Sequence, residues 1–137
     1  MVHMFTGCTN LTSAPITGPN VTNMYAAYYN CPNITGSPVC GDSVTCLSET
    51  YALCTKLTGN AACGPNVTDM SSAYRGCVGI TTAAVGNKVT NMASAYRDCT
   101  NLTTAVCDIN VVDMYRTYEN CSNLTTAVCH NNVVSMN

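Results

Sequence analysis

Any nucleophilic, acid–base or metal chemistry in this 137-residue chain would have to come from eleven cysteines, two histidines and seven acidic side chains. Structural zinc needs four ligands converging on one point, usually from C-x-x-C or H-x-x-x-H spacings. The chain has neither, and its histidines, His3 and His130, stand at opposite ends. Cys129 and His130 are adjacent, but consecutive residues of an extended segment point to opposite faces, which is wrong for a nucleophile and its base. The acids Asp42, Glu49, Asp69, Asp98, Asp108, Asp113 and Glu119 are scattered. Asp69 and Asp113 fall at equivalent positions two repeats apart, too far to share a proton. The expectation is a protein with no catalytic residue, no metal and no cofactor.

These residues are set out by a repeat. The phrase V-x-x-M-x-x-x-Y-x-x-C-x-x-L starts at Val21, Val44, Val67, Val89, Val111 and Val133, at intervals of 22 or 23 residues. A unit this short cannot bury its own core, so neighbours must stack and share one. Residues 1–137 are therefore read as one solenoid of about six repeats. Met1 and Met136 occupy the same phase of the repeat, so both ends are expected to be uncapped and to stack on neighbouring chain or protein. Phe5, Val133 and Met136 are the residues placed at those end contacts.

Columns run down the stack. One is Phe5, Tyr28, Tyr51, Tyr74, Tyr96 and Tyr118; a second is Cys8, Cys31, Cys54, Cys77, Cys99 and Cys121. A third is Leu11, Ile34, Leu57, Ile80, Leu102 and Leu124, and a fourth runs from Met1 through Met24, Leu47, Met70, Met92 and Met114. The offsets from Val are 3, 7, 10 and 13, the spacing of one apolar helical stripe. Asn23, Asp69, Asn91, Asp113 and Ser135 precede the Met column and suit helix N-caps. The spacing thus predicts a helix of about two turns, ending before the column cysteine. Runs such as Ile80-Thr81-Thr82-Ala83, Leu102 to Val106 and Leu124 to Val128 predict a short strand. Gly-Pro-Asn and similar turns close each unit, with room for a second minimal strand at the Val. The expected class is an α/β solenoid with parallel stacked sheets.

The string V-T-[ND]-M-x-x-A-Y-x-x-C-x-x-L-T resembles the BspA-like, or Treponema-type, leucine-rich repeat surface proteins. The resemblance is strongest from Asn66 to Cys77 and from Val89 to Leu102, and it covers the whole chain. Tyr stands where that family prefers Phe, and Leu-Thr-Thr-Ala replaces its usual Leu-Asp-Leu-Ser strand. The resemblance implies a leucine-rich-repeat-like solenoid acting as a surface or secreted interaction module, outside the cell or on a cell, virion or appendage. It supplies no catalytic residues.

Composition sets further bounds. Charged residues are only 9% of the chain, so Thr and Asn must build the exposed face. A net charge of −2 gives no electrostatic case for nucleic acid or an anionic membrane. No stretch approaches the roughly 20 apolar residues of a membrane span, so membrane insertion is not expected. The first cysteine column reads as small buried hydrophobes with free thiols. Cys40, Cys63, Cys107 and Cys129 form a second column in which both free thiols and rung-to-rung disulfides remain open. The seven N-x-[ST] sequons allow glycans, but Asn10, Asn33, Asn101 and Asn123 form one repeat column better suited to an Asn ladder.

The expected function is structural or adhesive, by contact with protein or glycan through a repeat face. Candidate contact residues are Tyr25, Tyr29 and Tyr115, which lie off the apolar stripe, and Thr82, Thr104 and Thr126 of the strand. The alternative is a subunit of a self-assembling filament, stacked head to tail on further copies of itself. An ice-binding Thr array is a third reading, weakened where the array lapses to Thr-Gly at Thr35 and Thr58.

Overall fold

The computed structural model describes residues 1–15, 17–129 and Ser135, and shows a stack of parallel rungs. Four short strands carry one side of it: β1 (Gly59–Ala62), β2 (Ile80–Ala84), β3 (Thr104–Val106) and β4 (Thr126–Val128). They form one parallel sheet in the order β1-β2-β3-β4. Each strand returns one repeat later beside its predecessor, so Thr82 pairs with Thr104 and Thr104 with Thr126. The Thr-Ala-Val segments expected as strands are strands. β1 begins on Gly59 and Asn60, residues of poor strand propensity. Its pairing with β2 overrides that, at the cost of a register shift between Gly59 and Asn60.

A second parallel line runs where a minimal strand at the Val was expected. It consists of single bridges two residues later, linking Asn23, Cys46, Asp69, Asn91, Asp113 and Ser135 in turn.

The helical part of the expectation is corrected: no helix occurs among the described residues. From Met24 to Cys31 the chain is instead a run of tight turns. The N–H groups of Ala27 and Tyr29 donate to the carbonyls three residues back, Met24 and Ala26. Those of Met24, Ala26, Tyr28 and Asn30 donate to the next rung, at Cys46, Ser48, Thr50 and Ala52. With the Tyr25 N–H on Asn23 Oδ1, no N–H from Met24 to Asn30 is left to make the four-back bond of an α-helix. Two columns in each rung have positive φ: Ala26, Glu49, Ser72, Ser94 and Arg116, then Asn30, Leu53, Gly76, Asp98 and Asn120. A turn with positive φ at its third residue is of the type II kind, and it breaks a right-handed helix.

The reason is spacing. Rings of the aromatic column stack with centroids 5.3 to 5.9 Å apart. An α-helix with side chains is about 10–12 Å across and cannot repeat at that interval. The 3-4-3 spacing of apolar residues suits this turn run as well as a helix, since both bring Met24, Tyr28 and Cys31 inward.

The core is these columns in register. Tyr28, Tyr51, Tyr74 and Tyr96 are fully buried, as are Met24, Met70, Met92, Ile34, Leu57, Ile80 and Leu102. Neighbouring rings are nearly parallel, from Phe5 on Tyr28 to Tyr96 on Tyr118. Buried hydroxyls need partners. Tyr74 Oη donates to the Ala62 carbonyl at 3.0 Å and Tyr51 Oη to the Val39 carbonyl at 2.6 Å, which ties the turn side to the strand side.

Candidate functional surface

The expected cap residues act as turn starters. Oδ1 of Asn23, Asp69, Asn91 and Asp113 accepts from the N–H two residues on, at 2.8 to 3.0 Å. This is the Asx-turn bond, which a short side-chain oxygen makes whether or not a helix follows. Asp69 and Asp113 are thereby committed to backbone.

The first cysteine column is equally committed from Cys31 onward; Cys8, expected to be buried with it, is exposed, with no preceding rung among the described residues to supply the covering carbonyl. Cys31, Cys54, Cys77, Cys99 and Cys121 each aim Sγ at the carbonyl of the aromatic residue one rung back, at 2.9 to 3.1 Å. Burial pushes the Cys54 and Cys99 thiols up to about 12 and Cys121 to about 11. Cys77, the deepest, is also raised by desolvation. A thiol held protonated is a poor nucleophile. All eleven cysteines are in the thiol form. Among the described residues no three His, Cys, Asp or Glu side chains converge as a metal site would require.

The threonine pairs divide into two roles that the sequence treats as one. The first member faces along the stack: Thr103 Oγ1 donates to the Thr81 carbonyl at 3.0 Å and Thr125 Oγ1 to the Thr103 carbonyl at 3.1 Å. The second member, Thr82, Thr104 and Thr126, makes no side-chain hydrogen bond among the described residues. These three hydroxyls stand in register across β2, β3 and β4, with Asn60 paired beside Thr82. Two residues further along each strand is an exposed apolar column of Ala62, Ala84, Val106 and Val128. The outer sheet face is thus an uncharged band of hydroxyls beside a band of methyls. The valines were missed as surface residues; the period-2 offset Thr104-Ala105-Val106 places them on the threonine side, with Ala105 inward.

The tyrosine candidates do not form one patch. Tyr25 and Tyr115 occupy the same column but sit four rungs apart, with Ser48, Ser71 and Ala93 between them. Tyr25 is half-buried under the edge of His3, and Tyr115 is 41% exposed with the Arg116 guanidinium 5.0 Å from its ring centre. Tyr29 is half-buried in another column, which continues through Arg75 and Arg97 to Glu119. Arg97 pairs with Glu119 at 2.7 Å, a bond between rungs that the sequence did not signal. Of the end contacts, Phe5 is partly exposed with one face on Tyr28, while Val133 and Met136 lie outside the described residues.

Of the column expected as an asparagine ladder, Asn33 alone among the described residues makes a rung-to-rung amide bond, its Nδ2 donating to the Thr9 carbonyl at 2.7 Å; Asn10, Asn101 and Asn123 do not. Asn66 and Asn110 do the same in the turn column, to Asp42 and Asn87. No helix among the described residues is long and apolar enough to cross a membrane.

Comparison with curated proteins and with solved structures gave no match. A profile of the BspA type leucine rich repeat region matches residues 2–103 and 27–137, with six copies. With its repeat columns in register and its sheet parallel, the chain belongs to the BspA type leucine-rich repeat family.

Proposed function

We propose that the chain is a non-catalytic surface module that binds protein or glycan through the outer face of its sheet. The observation that carries this reading is the band of unbonded hydroxyls at Thr82, Thr104 and Thr126 beside the exposed column that ends in Val106 and Val128. Repeat families of this kind are generally non-enzymatic and surface-associated, which agrees. An uncharged surface with regularly spaced donors and methyls suits a repetitive partner, such as an extended polysaccharide or a protein edge. Location outside the cell or on a surface is part of the same proposal.

The test is binding of the purified chain to a glycan array and to immobilised extracellular proteins. The triple variant Thr82→Lys, Thr104→Lys, Thr126→Lys puts three charges on the band without touching the core. It should lose binding while keeping the far-ultraviolet spectrum of the parent. Unchanged binding by the triple variant would refute the reading, as would binding lost on Tyr115→Ala alone.

Head-to-tail assembly is the second reading, favoured by the ladder. Each rung's turn segment donates N–H groups forward, and the carbonyls of Val2, Met4 and Thr6 accept nothing among the described residues. Such an edge takes one more rung, of the same array or of a second copy. Negative-stain images showing fibres would support it, and discrete short rods at high concentration would count against it.

A further inference from the structure

The two cysteine columns differ in a way that assigns chemistry to the second. In the first column Cys8 is exposed, but the thiols of Cys31, Cys54, Cys77, Cys99 and Cys121 are buried and tied to carbonyls of the aromatic column. In the second, Cys107 is also buried and donates to the Val128 carbonyl at 3.2 Å, and Cys63 Sγ accepts from the Gly86 N–H at 3.0 Å, while Cys40, Cys63 and Cys129 are half-buried. The second column reads Cys40, Cys63, Val85, Cys107, Cys129 down successive rungs, so Val85 divides it into two isolated neighbouring pairs. Val106 pairs with Val128, and Cys107 N donates to the Val128 carbonyl at 3.0 Å, which places Cys107 and Cys129 as the next residues of adjacent rungs. Cys40 Sγ lies 3.1 Å from where a Cβ on Gly64 would stand, against the rung that carries Cys63. Cys63, Cys107 and Cys129 each come one residue past a strand end, where the backbone can adjust. Adjacent strands are about 4.8 Å apart. That lies inside the Cα separation of about 4.4–6.8 Å that a disulfide spans.

We propose that Cys40 with Cys63, and Cys107 with Cys129, are oxidation sites that close into two rung-to-rung disulfides when the protein meets a small-molecule disulfide. In the second pair the half-buried Cys129 makes the first attack and Cys107, 1% exposed, resolves it. The Cys129 thiolate attacks one sulfur of the oxidant, forming a mixed disulfide and expelling one thiolate. The Cys107 thiolate then attacks the Cys129 sulfur and expels the second. Two protein thiols are oxidised by two electrons, the oxidant is reduced to two thiols, and the two protons pass to the expelled thiolates. Cys40 and Cys63, both half-buried, react in the same way in either order. Each bond staples one rung to the next, while the buried Cys31, Cys54, Cys77 and Cys99 stay reduced within the core. Because desolvation raises the Cys40 and Cys63 thiols, their closure should speed up as the pH is raised.

The experiment uses the whole chain, reduced, then equilibrated under native conditions with graded mixtures of glutathione and glutathione disulfide. Free thiols are trapped with iodoacetamide after denaturation, and disulfides are mapped on the peptides. The expected end point is loss of four hydrogens, linkage of Cys40 to Cys63 and of Cys107 to Cys129, and seven alkylated cysteines out of eleven. Cys129→Ser should abolish only the second bond, and Cys63→Ser only the first. The proposal is overturned by a fully thiol protein in excess glutathione disulfide, by stable glutathione adducts in place of the internal bonds, or by linkage of Cys31, Cys54, Cys77 or Cys99 under native conditions.

Discussion

Gly76→Ala separates the turn run from a helix by the sign of its effect. Gly76 has φ +73°, in the left-handed region. Its column mates Asn30, Leu53, Asp98 and Asn120 hold φ between 55° and 64°, so a side chain can be accommodated there under strain. That strain costs an L-residue roughly 1–2 kcal/mol. An added Cβ would also stand 2.9 Å from Leu53 Cδ2, the end of a flexible, half-buried side chain that can swing aside. Against this, alanine narrows the unfolded ensemble and returns about 0.4–1 kcal/mol. The expected net effect is destabilisation of about 1 kcal/mol. In a helix interior the same change would stabilise by about 0.8–1.0 kcal/mol. Guanidinium chloride unfolding, followed by far-ultraviolet circular dichroism, measures the difference provided the slope is unchanged. Higher stability in Gly76→Ala would refute the turn architecture, and the companion change Ala26→Gly, at a column with φ 48°, should err in the opposite direction, being neutral or stabilising.

Three further outcomes are expected. Tyr74→Ala empties a fully buried site stacked between Tyr51 and Tyr96, so unfolding should show a loss of about 3–5 kcal/mol; a few tenths would mean that the column faces water. Asp69→Ala removes the acceptor for the Ser71 N–H and should cost about 0.5–2 kcal/mol in the same assay, with Asp69→Asn near neutral; equal losses for both would dismiss the Asx turn. The contribution of these thiols to stability should be constant well below pH 9, where they are protonated in both states, and should fall as pH rises through 9 toward 12, because the unfolded thiols ionise near 9.0 while Cys54 and Cys99 hold their protons to about 12. Well above pH 9 those two groups alone set a slope of about 2.7 kcal/mol per pH unit; a denaturation midpoint constant from pH 8 to 11 would contradict their burial.

The sequence alone determined the repeat and which residues share a column. Fixed intervals make each column a column, and a unit too short for its own core must lend its apolar residues to a shared one. Hence the burial of Tyr51, Tyr74, Cys77 and Ile80, the parallel pairing of the Thr-Ala-Val strands and the family itself were legible before any coordinates. What the sequence left undecided was where each polar group would find its partner. Offsets of 3 and 4 and an Asn or Asp before Met24 or Met70 fit a capped helix and a run of turns equally well. The neighbouring rung settles it, because carbonyls such as Ser48 and Thr50 capture the N–H groups that a helix would need. The same contact splits the threonine pairs, taking the hydroxyls of Thr103 and Thr125 and leaving those of Thr104 and Thr126 unbonded. It also sets Arg97 on Glu119 and carries Cys40 Sγ to the rung of Cys63. Periodicity is a property of one chain segment and can be read locally; these bonds join residues about 22 apart, and only the stacked structure brings them together.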